Sequence, residues 1–95
     1  MIACDPVKEA ENLKKHGLPL VAAEFLFDGP FIEEEDGRAN YGETRFIATG
    51  PVAQLGNRVC VAIYTWRGGI RRVISFRKAN DREVRKYQAS DPGRG

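Results

Sequence analysis

The sequence predicts an α+β protein in which helices at both ends of the chain pack on an antiparallel sheet. Helix-start signals occur near residues 5 and 80, and residues 31–77 hold a succession of short runs rich in β-branched and aromatic residues. Only short loops separate these runs, so neighbouring strands are expected to pair in an antiparallel meander. The chain of 95 residues suits one domain. We place that domain at residues 1–88 and a flexible tail at residues 89–95.

Two helices are predicted before the first strand. Asp5 can cap the free N–H groups of the first helix, Pro6 suits its first turn, and Gly17 suits the left-handed position after its last turn. A second, short helix is expected over residues 19–27, and the Asp-Gly-Pro turn at 28–30 ends it.

Four strands and a last helix follow. The strands are predicted at residues 31–35, 44–50, 59–66 and 70–77. A turn at 51–57 has its tip at Gly56-Asn57, and Gly68-Gly69 makes a tight hairpin between the last two strands. The Asn-Asp-Arg-Glu segment at 80–83 resembles a capping box and should begin a helix that ends near Gln88.

Composition excludes several classes of protein. No apolar run approaches the ~20 residues that a membrane span needs, and the first residues lack the pattern of a signal peptide. Two cysteines without a C-x-x-C pair argue against a disulfide framework or a cysteine-rich zinc site. One histidine and scattered carboxylates fit no metal-ligand spacing, so no metal or other cofactor is expected. We expect a cytoplasmic protein with free thiols.

Charge is distributed unevenly along the chain. Residues 1–43 carry ten acids and four bases, whereas residues 44–95 carry eleven bases and three acids. Such asymmetry indicates a surface in the second half that binds a polyanion, or two halves that neutralise each other across the fold.

The last predicted strand carries the densest positive charge. Side chains alternate across a strand, so one face should hold Ile70, Arg72, Ile74 and Phe76 and the other Arg71, Val73, Ser75 and Arg77. The first set is the better core face, which leaves Arg71 and Arg77 facing outward. Further cations follow at the strand end and on the last helix, namely Lys78, Arg82, Arg85 and Lys86. This surface suits contact with nucleic acid, but it also suits a solvated basic face or pairing with the acidic segment 33–36.

Cations with one proton-transfer group can cleave RNA. The ribose 2′-OH attacks the adjacent phosphate, arginines stabilise the crowded phosphorus oxyanion, and a histidine or carboxylate moves protons. The sequence supplies such a set in Arg45, Arg72, Arg77 and Lys78 with His16 and Glu43. His16 can equally be a partner of the helix dipole at the end of its helix.

Three ordered segments resemble the BrnT family of toxins. The first is Asp5, Pro6, Lys8, Asn12, Lys15, His16 and Gly17, followed by Phe27-Asp28 and Pro30. The second is Tyr41-Gly42-Glu43-x-Arg45 with Gly50, and the third runs from Arg72 to Ala79 with Glu83 and Tyr87. Three departures are Cys4 where the family has an aromatic residue, Leu20 where it has Phe, and Phe76 where it has a small residue.

The resemblance implies a RelE-like fold with two N-terminal helices, a four-stranded antiparallel sheet and a C-terminal helix. It also implies a ribonuclease toxin of a type II toxin–antitoxin pair, which cuts RNA without a metal, inhibits translation and is neutralised by a BrnA-like antitoxin with a ribbon-helix-helix part. DNA would be bound only through the antitoxin complex. The expected catalytic residues are His16, Glu43, Arg45, Arg72 and Arg77. The expected RNA-binding residues are Lys15, Arg71, Lys78, Arg82 and Arg85. A non-catalytic module that binds RNA or antitoxin in a repressor complex is the alternative.

Overall fold

The computed structural model describes residues 1–38 and 40–90. Its elements in chain order are β1 (Ile2–Cys4), α1 (Pro6–His16), a 3-10 turn (Leu20–Ala22), α2 (Ala23–Phe27), β2 (Ile32–Glu35), β3 (Phe46–Val52), a second 3-10 turn (Ala53–Leu55), β4 (Arg58–Arg67), β5 (Ile70–Lys78) and α3 (Asp81–Ser90). No helix within these described ranges has the length and apolar character to cross a membrane.

The strands form one five-stranded mixed sheet in the order β1-β5-β4-β3-β2. Four of the strands pair antiparallel, as predicted, but β1 adds to β5 in parallel, with Ile2 beside Arg71 and Cys4 beside Val73. The prediction of a four-stranded, purely antiparallel sheet is therefore wrong at this edge. A strand of three residues is too short to produce an alternating pattern in the sequence.

The helix ends follow the local signals in the sequence. The carboxylate of Asp5 accepts hydrogen bonds from the N–H groups of Val7 at 2.8 Å and Lys8 at 3.3 Å, and Gly17 closes α1 at φ 71°. The second predicted helix is only partly helical, because residues 20–22 form the 3-10 turn and α2 has five residues. Neither piece is capped by the side chain of its own N-cap residue; the N–H of Leu20 donates instead to Glu9 Oε1 of α1 at 2.7 Å, and packing holds the rest of the segment.

The capping box at the start of α3 is confirmed. The Glu83 N–H donates to Asn80 Oδ1 at 2.9 Å, and the Asn80 N–H donates to Glu83 Oε1 at 3.0 Å. The helix continues to Ser90, so the first two residues of the segment predicted as a tail belong to α3. Residues 91–95 of that predicted tail lie outside the described residues.

A β-bulge interrupts the pairing of β4 with β5. Ile63 is opposite Ser75 and Tyr64 is opposite Val73, so Ile74 has no partner in the ladder. The extra residue shifts the alternation of β5 by one position, because side chains change face at every step of a strand. Residues before Ile74 consequently lie on the opposite faces from those that a regular strand would give them.

The two faces of the sheet carry different layers. The helical segments of residues 6–27 cover one face, where the fully buried side chains include Leu20, Leu26, Tyr64, Val73 and Phe76. On the other face α3 packs against β3, and its Lys86 lines a cleft with Ile47 and Thr49. Gly50 in β3 has no room for a side chain, since a Cβ there would lie 2.4 Å from the carbonyl oxygen of Pro30.

Asn12 attaches α1 to the exposed edge of β5. β1 pairs with β5 only as far as Val73, and beyond it the Asn12 side chain takes the place of a strand. Its Oδ1 accepts from the N–H of Phe76 at 3.1 Å, while its Nδ2 donates to the carbonyls of Phe76 at 2.7 Å and Leu18 at 2.8 Å. Asn12 is only 5% exposed, so these backbone groups would otherwise be buried without partners.

Replacing Asn12 by leucine should destabilise the protein strongly. Asn12→Leu leaves three buried backbone groups without partners, at about 1–3 kcal/mol each, so we expect a loss of at least about 3 kcal/mol in the free energy of unfolding. Urea denaturation followed by circular dichroism measures this loss. Lys14→Leu, on the exposed side of α1, is the matched control and should change stability by less than about 0.5 kcal/mol. Equal stability of the two variants would contradict this role of Asn12.

Candidate functional site

The bulge places Arg72 and Arg77 on the same face of the sheet. Arg72 is opposite Thr65 and Arg77 is opposite Val61, and both partners project to the face that carries α3. Arg45 directly precedes β3 and joins this face, beside Thr65, whose hydroxyl donates to the carbonyl of the adjacent Thr44 at 2.7 Å. We call this surface, with Arg45, Arg72 and Arg77, the arginine face.

The three arginines are neighbours but do not converge on one point. The backbones of Arg72 and Arg77 are four ladder positions apart, which separates their Cα atoms by about 13 Å at ~3.3 Å per residue. Arg45 and Arg72 lie on either side of β4, about 10 Å apart at ~4.8 Å per strand spacing. In the structure the three guanidinium groups pair with three different carboxylates, so the arginine face presents separate contacts for several phosphates of an extended strand.

Each guanidinium group of the arginine face has a carboxylate partner. Arg45 Nε is 3.3 Å from Glu43, and Arg72 Nη2 is 3.4 Å from Asp5. Arg77 makes the closest pair, with its two Nη atoms 2.7 and 2.8 Å from the two oxygens of Glu83. These cations are therefore only partly available to a polyanion. Each can bind it only through the N–H groups that its carboxylate partner leaves unused.

His16 lies in a groove at the edge of β5, beyond the end of β1, where the charge of Arg77 reaches its imidazole. The groove has a volume of about 170 Å³ and is lined by Lys8, Glu11, Asn12, Lys15, His16, Ile74 and Ser75. Desolvation by burial lowers the pKa of His16 below its usual 6.5, and the charges of Lys15 and Arg77 lower it further. The imidazole is consequently neutral at pH 7 and can accept a proton. We call this site the edge groove.

Glu43 is held between two arginines at the other end of the arginine face. Its Oε1 is 3.2 Å from Arg67 Nη2, and its Oε2 is 3.3 Å from Arg45 Nε. The hydrogen bonds from Arg67 and Arg45 lower the pKa of Glu43. The Arg45 guanidinium also stacks on the ring of Tyr41, 4.0 Å from its centroid. Glu43 is therefore ionised at neutral pH and fixes the orientation of Arg45.

Arg71 lies on the face opposite to the arginine face. Its guanidinium carbon is 4.3 Å from the ring centroid of Phe27, 4.6 Å from Trp66, 5.3 Å from Tyr64 and 5.7 Å from Phe31. Its Nε is buried and finds no hydrogen-bond partner among the residues that the structure describes. The expectation that Arg71 and Arg77 share an outward face is wrong, because the bulge at Ile74 reverses the face of every residue before it. Arg71 packs as a cation among aromatic rings.

The other predicted RNA-binding residues are dispersed. Lys15 lines the edge groove, whereas Lys78 ends β5 opposite Cys60, on the face that Arg77 does not occupy. Arg82 and Arg85 are exposed on α3, and Arg82 lines a cleft of about 410 Å³ beside the acidic segment 33–36. The sequence also allowed the cations of the last helix to pair with the acidic segment 33–36. Lys86 does so, because its Nζ is 2.6 Å from Glu34 Oε1.

Two features of the site were not found from the sequence. Glu83 and Asp5 were assigned only as helix caps, yet each also contacts an arginine of β5. A capping carboxylate uses one oxygen to accept hydrogen bonds at the helix start, and its second oxygen can accept from a cation. This second oxygen is the signal that could have suggested the contact with an arginine. Phe76, in contrast, was correctly predicted on the core face, since it is fully buried on the opposite face from Arg77.

Together these features define a small α+β protein with a cationic sheet face and a histidine in a groove at the edge of the same sheet. The model of a family described as the ribonuclease toxin BrnT of type II toxin–antitoxin systems matches residues 5–83. The chain therefore belongs to the BrnT family of ribonuclease toxins, and membership in a type II system implies an antitoxin partner.

A solved structure supports the same conclusion. The fold is similar to the crystal structure of the ribonuclease toxin BrnT of Brucella abortus, with a TM-score of 0.61 and 25% sequence identity. The similarity covers 84% of this chain and 96% of that one. No curated protein matches the chain.

The position of His16 predicts how its pKa responds to neighbouring charges. We expect His16 to titrate below pH 6.5, and both Lys15→Gln and Arg77→Gln to raise its pKa because each removes a positive charge. The rise should be larger for Lys15→Gln, since Lys15 has the stronger effect of the two. Proton NMR of the imidazole measures these values. Lys14→Gln is the control that should leave the titration unchanged, and a pKa above 6.5 in the unmodified protein would contradict the assignment.

Proposed function

We propose that the chain is a metal-independent endoribonuclease that cleaves RNA to inhibit translation. The observation that carries the proposal is the position of His16 in the edge groove, where the charge of Arg77 reaches its imidazole, in a protein of the BrnT ribonuclease toxin family. An imidazole that is unprotonated at neutral pH can accept the proton of a ribose 2′-OH. A guanidinium beside it can stabilise the charge that develops on the phosphate.

In the proposed reaction the 2′-oxygen forms a bond to phosphorus as its proton passes to His16 Nδ1 or Nε2. The bond from phosphorus to the 5′-oxygen breaks, and that oxygen leaves as a hydroxyl after taking a proton from solvent. Arg77 contacts the reacting phosphate, and Lys15 adds positive charge to the edge groove. The products are a 2′,3′-cyclic phosphate and a 5′-hydroxyl, so no hydrolytic water or metal ion enters the balance.

The rest of the arginine face would bind the flanking strand. The ladder positions put the Cα atom of Arg72 about 13 Å from that of Arg77, and Arg45 lies still further away. Both would therefore contact phosphates other than the reacting one. Glu43 would orient Arg45 rather than move a proton, because two arginines stabilise its charged form. Arg82 and Arg85 would extend the track of positive charge along α3.

The partner would be a BrnA-like antitoxin with a ribbon-helix-helix part, and DNA would be bound only by the complex. Both proteins would act in the cytoplasm, where their RNA and DNA targets lie. A competing proposal is a non-catalytic module that binds RNA or antitoxin within a repressor complex. It is favoured by the ion pairs, since every guanidinium of the arginine face already has a carboxylate beside it.

Cleavage should persist in EDTA and depend on Arg77. The purified protein should cut single-stranded RNA and leave a 2′,3′-cyclic phosphate, as detected by mass spectrometry of the fragments. Arg77→Ala should lower the rate by about 10²-fold or more, by analogy with the loss of one oxyanion donor. Arg58→Ala, which removes an exposed arginine outside the site, should retain nearly full activity. RNA that is bound but not cut would favour the competing module, and activity lost with EDTA would contradict the metal-free reaction.

The pH dependence of cleavage should report the ionisation of His16. The neutral imidazole is the active form, so the rate should rise with pH as His16 loses its proton and level off above its lowered pKa. The midpoint of this rise should therefore lie below pH 6.5. His16→Asn should remove the rise as well as most of the activity. A rate that falls over the same interval would show that the protonated form is the active one.

A further inference from the structure

Arg77 has two N–H groups left over after its contacts with the protein are counted. A guanidinium carries five N–H donors in one plane. Nη1 donates to Glu83 Oε1 at 2.7 Å and to the carbonyl of Lys78 at 3.3 Å, and Nη2 donates to Glu83 Oε2 at 2.8 Å. The Nε–H and the second Nη2–H remain, and they lie side by side on one edge of the plane. Neither has an acceptor within residues 1–38 and 40–90.

We propose that Glu83 is the residue that positions Arg77 for RNA cleavage, an inference that rests on the function proposed above. The carboxylate occupies the end of the guanidinium and leaves the Nε–Nη2 edge open. Two parallel N–H groups on one edge match two oxygens of a phosphate, as they match a carboxylate. Glu83 therefore selects which edge of Arg77 is available to the substrate.

Glu83 is itself fixed from two directions. Its Oε1 also accepts the N–H of Asn80, and its own N–H donates to Asn80 Oδ1, so the side chain is part of the first turn of α3. The hydrogen bond from Arg77 lowers the pKa of Glu83, which keeps the carboxylate charged at neutral pH. The guanidinium is thus held between β5, which carries it, and the first turn of α3.

Positioning, rather than competition with RNA, follows from this geometry. A carboxylate that blocked the substrate would have to occupy the edge that phosphate needs, whereas Glu83 and Lys78 occupy the other donors. Partial neutralisation by Glu83 weakens the long-range attraction of Arg77 for RNA. In return, the substrate meets a guanidinium whose rotamer is already selected, so less side-chain entropy is lost on binding.

Glu83→Gln separates the two roles of this side chain. Glutamine is accepted at this position of a capping box, so the first turn of α3 should persist. Its amide offers one acceptor oxygen in place of two, and its NH2 group opposes a donor of Arg77. We expect kcat/KM for RNA to fall at least about tenfold. Asn80→Ala is the matched control, because it weakens the cap but leaves the carboxylate of Glu83. It should lower the melting temperature more than Glu83→Gln does and lower cleavage less.

A double-mutant cycle tests whether Glu83 acts through Arg77. In an Arg77→Ala background, Glu83→Gln should reduce the residual cleavage by less than twofold, because the residue that it positions is absent. A reduction as large as in the unmodified protein would overturn the proposal and assign Glu83 a structural role. An increase of cleavage in the Glu83→Gln single variant would also overturn it, because the carboxylate would then be a competitor of the substrate.

The Arg77 side-chain NMR signal provides a readout that needs no cleavage. A 2′-O-methyl RNA oligonucleotide cannot react but carries the same phosphates. Its addition should shift the 15Nε–1Hε resonance of Arg77, and Glu83→Gln should weaken its binding severalfold. If the unmodified protein cuts no RNA but this shift occurs, the nuclease proposal fails and the positioning of Arg77 stands. If RNA is cut normally by Glu83→Gln and the resonance does not move, only the positioning proposal fails.

Discussion

The arrangement of the candidate site depends on the contact of one carboxamide, that of Asn12, with the edge of β5. A strand edge inside a protein must find partners for its N–H and C=O groups, and here a helix side chain supplies them where β1 ends. This contact fixes α1 lengthwise along β5. The pairing of β1 with β5 already places Asp5 near Arg72, and the Asn12 contact brings His16, at the other end of α1, to where the charge of Arg77 reaches it.

The electrostatics of the site follow from the same arrangement. The three arginines of the arginine face do not form an uncompensated patch, since helix caps and a loop provide each of them with a carboxylate. Two of these carboxylates, Asp5 and Glu83, also begin helices. A single ionised side chain therefore stabilises a helix start and orients a cation, which couples the stability of the fold to the geometry of the site. An arginine whose charge is partly neutralised by a carboxylate recognises an anion mainly through the direction of its remaining N–H groups, and less through its net charge.

Much of the fold could be predicted because it rests on local signals. The Asp-Pro start and Gly17 end of α1, the two glycines of the last hairpin and the capping box of α3 each specify a backbone conformation within a few residues. β1 could not be predicted in this way, because three residues acquire their structure only from β5, which lies at the other end of the chain. The partial helix after Pro19 is similar, since tertiary packing decides its form.

The site was predicted in composition more than in arrangement. Family segments indicated the arginines, His16 and Glu43, but no sequence pattern marks a bulge, and the face assigned to Arg71 and Arg72 was therefore reversed. The carboxylate partners of Arg72 and Arg77 were likewise hidden, because Asp5 lies far along the chain from Arg72 and Glu83 was assigned only to a helix cap. The pairing of Glu43 with Arg45, two residues apart, was foreseen.

Ile74 is an extra residue in β5, and its presence outside the ladder determines on which face of the sheet the residues before it lie. Loss of Ile74 alone would make β5 regular without moving any side chain to the other face, because Val73 already follows Ser75 in the ladder. A pairing that took Ile74 into the ladder would instead exchange the surroundings of Arg71 and Arg72, moving Arg71 away from the aromatic rings and Arg72 towards the helices. The way the two strands pair therefore decides which of these adjacent arginines belongs to the site, and an alignment with a one-residue gap at Ile74 would still compare equivalent surfaces.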